Sequence, residues 1–334
     1  MRKKTLVIIT FSIVSFSVAQ VSDFNTVDFT RADNIAKLNE GEDLDNLPVL
    51  AHKLTANLKT DVEKFRAIYL WVCQNIKGDT TQDSKVFKYK RKLAHDTVAY
   101  LKWNNEFKVK ALKKLLKRKK TMCTGYAYLI KELCFLADIE CVIVDGYGRS
   151  VSANVEALDF ANHSWNAVKL NNKWYLCDAT WSSGFSINTN FIKDYNDGYF
   201  LTDPILFAKN HFPLNKKWFL NDSLANTKFT PQAIVYGETF KHKIIPTHPK
   251  TLNVTTKKDE ALHFSFKTLA STSQDDIELI HFIGLKEHAF KIENFQINDN
   301  NISFSNSFKH KGNYDVHLKI DNSIVATYTV SVIN

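Results

Sequence analysis

Three pieces decide how this chain reads: Thr121-Met122-Cys123-Thr124-Gly125-Tyr126-Ala127, Asn162-His163-Ser164-Trp165-Asn166 and Cys177-Asp178-Ala179-Thr180-Trp181. The first sets a thiol directly before a helical run. The other two fall on the arms of one hairpin if Asn171-Asn172 is its two-residue turn. Facing residues then have numbers summing to 343, so Leu170 faces Lys173, Trp165 faces Asp178 and His163 faces Thr180. His163 and Asp178 become diagonal neighbours on one face, roughly 7 Å apart at their β-carbons, a gap an imidazole spans. A slip of one residue would put them on opposite faces. In this register Asp178 can accept from one ring nitrogen and leave the other for Cys123, which is the logic of a nucleophile triad. The plainer alternative is a structural His–Asp pair that orders the sheet.

The thiolate is the nucleophilic form of cysteine, and a helix start favours it through unpaired N–H groups and a dipole worth roughly half a positive charge. Gly125 in the first turn permits close backbone approach, and the Cys123 amide is placed to meet a developing oxyanion. Five cysteines leave at least one thiol unpaired. Cys123, between a polar loop and a helix, is the candidate. Cys73, Cys134, Cys141 and Cys177 lie in apolar stretches, either as small buried hydrophobes or as one or two disulfides. No cysteine pair has C-x-x-C spacing, and His163 has no second histidine three to five residues away, so no metal site is expected. No glycine-rich phosphate loop is present, and no cofactor is expected.

Upstream, Leu47 to Leu58 predicts a short helix after a polar leader from Gln20 to Asn46. Thr60-Asp61-Val62-Glu63 is a capping box. Phe65, Ile68, Tyr69, Val72 and Ile76 follow as one buried stripe, and Gly78 ends that helix. Asp79 to Leu93 lacks periodicity and predicts a loop. Asn105 to Arg118 predicts a basic helix, and Cys123 to Ala137 the next one. Cys141 to Val144 is a strand ending at Gly146-Tyr147-Gly148, and Arg149 to Asp159 a polar loop.

Arg2, Lys3 and Lys4 precede an apolar run from Leu6 to Val18 and the small-residue end Ser17-Val18-Ala19, the order of a secretory signal. Cleavage is expected near Ala19/Gln20, giving a secreted or periplasmic protein with no stable membrane span after signal removal. The net charge of +9 then falls to +6. The excess gathers in Lys108, Lys110, Lys113, Lys114, Lys117, Arg118, Lys119 and Lys120. These make either a solvated helix face or a surface for an anionic substrate or cell-envelope polymer. No nucleic-acid motif accompanies them, so no nucleic-acid partner is expected. After Thr230 short alternating segments such as Leu262-Phe264-Phe266 and Tyr314-Val316-Leu318-Ile320 predict about seven strands, an immunoglobulin-like sandwich without its disulfide. The expected domains are a signal at 1–19, the leader at 20–46, a catalytic domain at 47–228 and the sandwich at 229–334.

The chain resembles the transglutaminase-like superfamily, in its bacterial and kyphoscoliosis-peptidase-like branch. The matching pieces are Phe65-Arg66-Ala67-Ile68-Tyr69-Leu70-Trp71-Val72, Cys123-Thr124-Gly125-Tyr126-Ala127, His163-Ser164-Trp165-Asn166, Trp174 to Trp181, and Asn196-Asp197-Gly198-Tyr199-Phe200-Leu201. The resemblance implies an α+β papain-like core, with helices packed on an antiparallel sheet. It implies Cys123 as nucleophile, His163 as general base and Asp178 as orienting partner. It also implies a thioester formed from an amide of a protein or peptide and resolved by water, as in a peptidase or amidase, or by an amine, as in cross-linking. A catalytically silent peptide-binding or adhesion module is the reading from another class. Thr121, Met122 and Thr124 depart from the family's usual residues around the cysteine, which bears on substrate preference. The second oxyanion donor does not transfer by motif, and Gln74 and Trp103 are its candidates. Gly125, Tyr126, Trp165 and Trp181 flank the triad as further substrate-binding or oxyanion candidates.

Overall fold

The computed structural model describes residues 21–155, 157–158, 161–187, 190–269 and 274–334, with the side chain of residue 275 left aside. The expected signal at 1–19 lies outside the described residues. The stretch read as a polar leader is folded. Helix α1 (Thr30–Leu38) buries Ala32 and Ala36, and Phe24 before it packs into the main core. Only one narrow face of this segment is apolar, which is why composition alone reads it as a leader.

Helix α2 (Leu47–Thr55) is capped by Asn46, and α3 (Asp61–Asn75) carries the expected Thr60/Glu63 capping box. Both termini of that box are satisfied reciprocally. Ten consecutive or near-consecutive residues of α3, from Val62 to Cys73, are buried, so this helix is the pillar of the domain. Strand β1 (Lys77–Gly78) pairs in parallel with β2 (Lys120–Thr121). Between them stand α4 (Thr80–Lys92) and α5 (Thr97–Arg118), a helical hairpin. The predicted loop over Asp79 to Leu93 is therefore corrected to a helix, capped by the Asp79 side chain on the Gln82 amide. Its periodicity is faint because only Gln82 and Val86 are buried. The basic helix also starts earlier than expected, at Thr97, with the Asp96 side chain capping the Ala99 amide.

Helix α6 (Cys123–Leu136) lies on a sheet of order β5-β4-β3-β8, all antiparallel: β3 (Cys141–Gly148), β4 (His163–Leu170), β5 (Lys173–Cys177) and β8 (His211–Pro213). The hairpin register is the predicted one, with Leu170 opposite Lys173 and Asn166 opposite Cys177. Asn171 and Asn172 both take positive φ, 49° and 62°, as a type I′ turn requires. Helix α7 (Ala179–Ser183) follows β5 directly, then the small ribbon β6 (Gly184–Ile187) and β7 (Asn190–Lys193), and helix α8 (Pro204–Phe207).

The C-terminal region begins with β9 (Ile234–Val235) and α9 (Gly237–Lys241). One sheet orders β10 (Ile244–His248), β12 (Ala261–Thr268), β16 (Asn301–Ser307) and β15 (Glu293–Asn298). The other orders β11 (Asn253–Lys257), β18 (Ser323–Ile333), β17 (Gly312–Ile320), β13 (Ile277–Ile283) and β14 (Lys286–Ala289). Phe264, Phe266, Phe304, Val316, Leu318, Tyr328 and Val330 fill the space between them, an all-β, immunoglobulin-like sandwich with no disulfide. All five cysteines are free thiols and buried. A shared core of Val144, Trp165, Leu176, Tyr199 and Phe207 with Val235, Phe240 and Ile245 seats the sandwich against the β5-β4-β3-β8 sheet. Arg149 adds bonds to the carbonyls of Thr230, Gln232 and Ala233. Among the described residues no helix is long and apolar enough to cross a membrane.

Candidate active site

Cys123 is the first residue of α6, and Met122 at its cap makes no side-chain hydrogen bond. Donors of the first turn therefore remain available for negative charge. The Cys123 thiol, buried at 6% exposure, lies 3.9 Å from the Asn162 carbonyl, immediately before His163. What sets this approach is Asn166, three residues along β4. Its buried amide donates to the Ala127 carbonyl of α6 at 3.0 Å and to the Val142 carbonyl of β3 at 3.2 Å, clamping helix to sheet. Thr124 and Ser164 add a hydroxyl contact at 3.4 Å.

His163 Nε2 meets Asp178 Oδ2 at 2.7 Å, both side chains being buried. The other carboxylate oxygen caps α7, accepting from the Thr180 and Trp181 amides at 2.8 and 3.3 Å. Burial opposes a charge on His163, but the Asp178 charge and hydrogen bond, together with Cys123, raise its pKa to about 10. Burial likewise opposes the Asp178 charge, and His163 and His211 overcome it, holding the carboxyl well below its usual range. Trp181 stacks on the His163 ring at 4.5 Å and 21°. Gly148 makes that stack possible, since a β-carbon there would stand 3.0 Å from both His163 and Trp181.

The structure brings Cys123, His163 and Asp178 together, and it disperses the weaker candidates. Gly125 packs on Thr121, which a β-carbon would strike at 1.9 Å, and Tyr126 is a core residue bonded to the Ile76 carbonyl at 2.9 Å. Trp165 is buried beside His163 and His211 and serves as their wall. Gln74 is exposed in the last turn of α3, and Trp103 is stacked between Tyr89 and Phe107 within the α4–α5 hairpin. Neither is placed by any contact as an oxyanion donor.

Three residues near the site carry no motif in the sequence. Lys90 of α4 donates to the Ala161 carbonyl; burial lowers its pKa, with Cys123 and Asp145 acting in the opposite direction. Asp83, open to solvent yet hemmed in, is pushed up to about 6 by that crowding, against the pull of His163. His211 places Nε2 3.1 Å from Asp178 Oδ2. Its only sequence signal is a histidine in a short β-type run, His211-Phe212-Pro213. His163, Asp178 and His211 offer donor atoms within 4.8 Å of one another. Both nitrogens, however, point at one carboxylate oxygen in hydrogen bonds rather than at a common empty point, so the set does not fit a metal ion.

An α+β domain that presents a helix-borne thiol to a hairpin-borne imidazole and carboxylate has the form of a papain-like thiol enzyme. Residues 48–179 match the family model of the transglutaminase-like superfamily, which supports that superfamily for the first domain. It is 32% identical over 226 residues to kyphoscoliosis peptidase of Homo sapiens, covering 64% of this chain and 30% of that protein. Hillarin of Drosophila melanogaster is 28% identical, covering 58% of this chain and 23% of that protein. The Lim and transglutaminase domain protein ltd-1 of Caenorhabditis elegans is 24% identical, covering 59% of this chain and 26% of that protein. The chain thus spans less than a third of the length of these relatives. The Lin-41 filamin domain superposes with a TM-score of 0.22 at 11% identity over 27% of this chain and 92% of that one, and no property is carried over from it.

Proposed function

We propose that this protein is a secreted or periplasmic thiol enzyme that hydrolyses amide bonds of a protein or peptide through a thioester on Cys123. The observation that carries the reading is the His163–Asp178 bond of 2.7 Å beside a helix-start cysteine held in register by Asn166. Cys123 Sγ attacks the amide carbon, and His163 passes its proton to the leaving amine. Water then attacks the thioester, His163 takes up its proton, and the acid product leaves as the thiol is restored. The human relative bears the name peptidase, which favours water over an amine as the acceptor.

The α4–α5 hairpin favours an anionic substrate. Residues 80–120 hold fourteen of the chain's 44 Lys and Arg but only three of its 35 Asp and Glu. An acidic polypeptide, or an anionic cell-envelope polymer carrying amide bonds, fits that field. The test is mass spectrometry of peptides from a cell-envelope extract incubated with wild type and with Cys123→Ala. New termini made by the wild type alone are expected. New isopeptide links would replace hydrolysis with transfer, and equal labelling of both proteins by a thiol-directed activity probe would overturn the nucleophile assignment.

A further inference from the structure

Asp178 has a second imidazole that the hairpin does not supply. His211 sits on β8 opposite Gly148 of β3, with its side chain wholly buried. Its ring stacks on Phe207 at 3.8 Å and 17° and is walled by Trp165, Trp181 and Tyr199. Its Nε2 is 3.1 Å from Asp178 Oδ2, the oxygen that His163 already holds at 2.7 Å. With Oδ1 taken by two backbone amides, each carboxylate oxygen accepts two donors and the group has no alternative rotamer of equal bonding.

The far side of the ring tells which nitrogen bears hydrogen. An ionised carboxylate only accepts, so Nε2 must donate. Burial then excludes a second proton near neutral pH, pulling the His211 pKa down to about 4 although Asp178 favours the charged form. Nδ1 lies 2.7 Å from Asn210 Oδ1, and Asn210 Nδ2 donates to the Tyr199 hydroxyl at 3.3 Å. An Nε2–H ring needs a donor at Nδ1, which turning the Asn210 amide over would supply, with Tyr199 then donating to the amide oxygen.

We propose that His211 is a positioning residue: by sharing Oδ2 it fixes which lone pair of Asp178 is left for His163, and it divides the pull of the carboxylate between two rings. His163 is thereby aimed at Cys123 and is still able to release its proton to a leaving amine. This rests on the triad reading above. The other groups facing His163 are Cys123 and Asp83, and those around Asp178 are Cys73, Cys177, Tyr126 and Tyr199, which burial holds neutral. A change at His211 therefore registers on His163. Replacing the ring by Phe removes one donor from Oδ2, so Asp178 holds the His163 proton more tightly. Gln at the same place sets an N–H near the Nε2 position and restores the donor.

The experiment follows the histidine ring nitrogens of the full chain by long-range 1H–15N correlation as a function of pH, with rings assigned by single substitutions. In the wild type at pH 7, His211 is expected neutral with hydrogen on Nε2 alone. In His211→Phe the His163 midpoint is expected to rise by about half a pH unit or more, and in His211→Gln to return to the wild-type value. A His211 ring protonated on Nδ1 alone, or on both nitrogens, at pH 7 overturns the proposal, and this measurement needs no variant to fold. An unmoved His163 midpoint in folded His211→Phe overturns it too, because a mere brace would lower Tm and leave that midpoint in place. Failure of Cys123 to label with the activity probe would sink the enzyme reading and leave this result standing, so the two failures are distinguishable.

Discussion

The sheet that bears His163 and the helical hairpin that reaches toward Cys123 are built by opposite rules. Seven of the eight residues of β4 are buried, whereas the 22-residue α5 buries only Leu115. In the hairpin Phe87, Val98, Leu101 and Val109 stay exposed, and its aromatic stack of Tyr89, Trp103 and Phe107 packs mainly on itself. It joins the body near its base, where Leu112, Leu115 and Leu116 meet the main core, and through Lys90 on the Ala161 carbonyl. A reaction centre needs side chains held to fractions of an ångström, which dense packing and saturated hydrogen bonds supply. A surface that meets a long charged substrate needs field and accessible area, which the hairpin has.

The largest break in this comparison is expected from Cys123→Ala, which abolishes probe labelling outright. Asp178→Asn should lower the labelling rate by about a hundredfold or more, because the imidazole loses its orienting anion. Substitution in the dense region should also cost stability: Leu129→Ala, fully buried in α6, is expected to lose about 2–5 kcal/mol in denaturant unfolding. Leu101→Ala, on the hairpin and 52% exposed, should change it by less than about 0.5 kcal/mol. Equal losses at the two positions would erase the distinction. Asn166→Ala should fall between, costing about 1–3 kcal/mol because the Ala127 and Val142 carbonyls lose their shared donor. It should also slow probe labelling, since the clamp sets the cysteine helix on the sheet.

Acid and alkali test the dense region differently. His211 is held down to about 4, so the unfolded chain takes up a proton that the fold refuses, and Tm should fall as pH drops from about 6.5 toward 4. Asp178, held low by its two imidazoles, stabilises the fold above the ordinary carboxylate range, and that contribution disappears as pH falls through its lowered value. His163, raised to about 10, contributes fully below about 6.5 and loses the contribution as pH climbs through about 10. A Tm flat from pH 4 to 10 would contradict both histidine assignments. The smallest effect on stability is expected from Lys108→Glu with Lys110→Glu, both exposed on α5: Tm unchanged within error, but retention on a glutamate-rich polypeptide weakened and its salt dependence reduced.

Much of the site was legible because it is local. Asn171-Asn172 fixes the hairpin register, and the observed pairing agrees from Leu170–Lys173 to Asn166–Cys177; there β5 ends, Asp178 caps α7, and the expected facings of Trp165 with Asp178 and His163 with Thr180 give way to a direct His163–Asp178 bond. The capping box at Thr60 and the apolar stripe of α3 were equally local signals. The helix over Thr80 to Lys92 escaped because so little of it is buried that no apolar period marks it. The Gln74 and Trp103 candidates rested on residue type without position, and tertiary structure places one in solvent and the other in an aromatic stack.

By itself, then, the sequence determined the thiol at a helix start and the imidazole and carboxylate at the open end of one hairpin, since turn chemistry and side-chain period act over a few residues. Only the tertiary structure decided that α6 is clamped to β4 through Asn166, and that a histidine 33 residues beyond Asp178 returns on β8 to share its carboxylate. Those contacts are set by strand order in the sheet, and strand order is a property of the packed chain that no local pattern encodes.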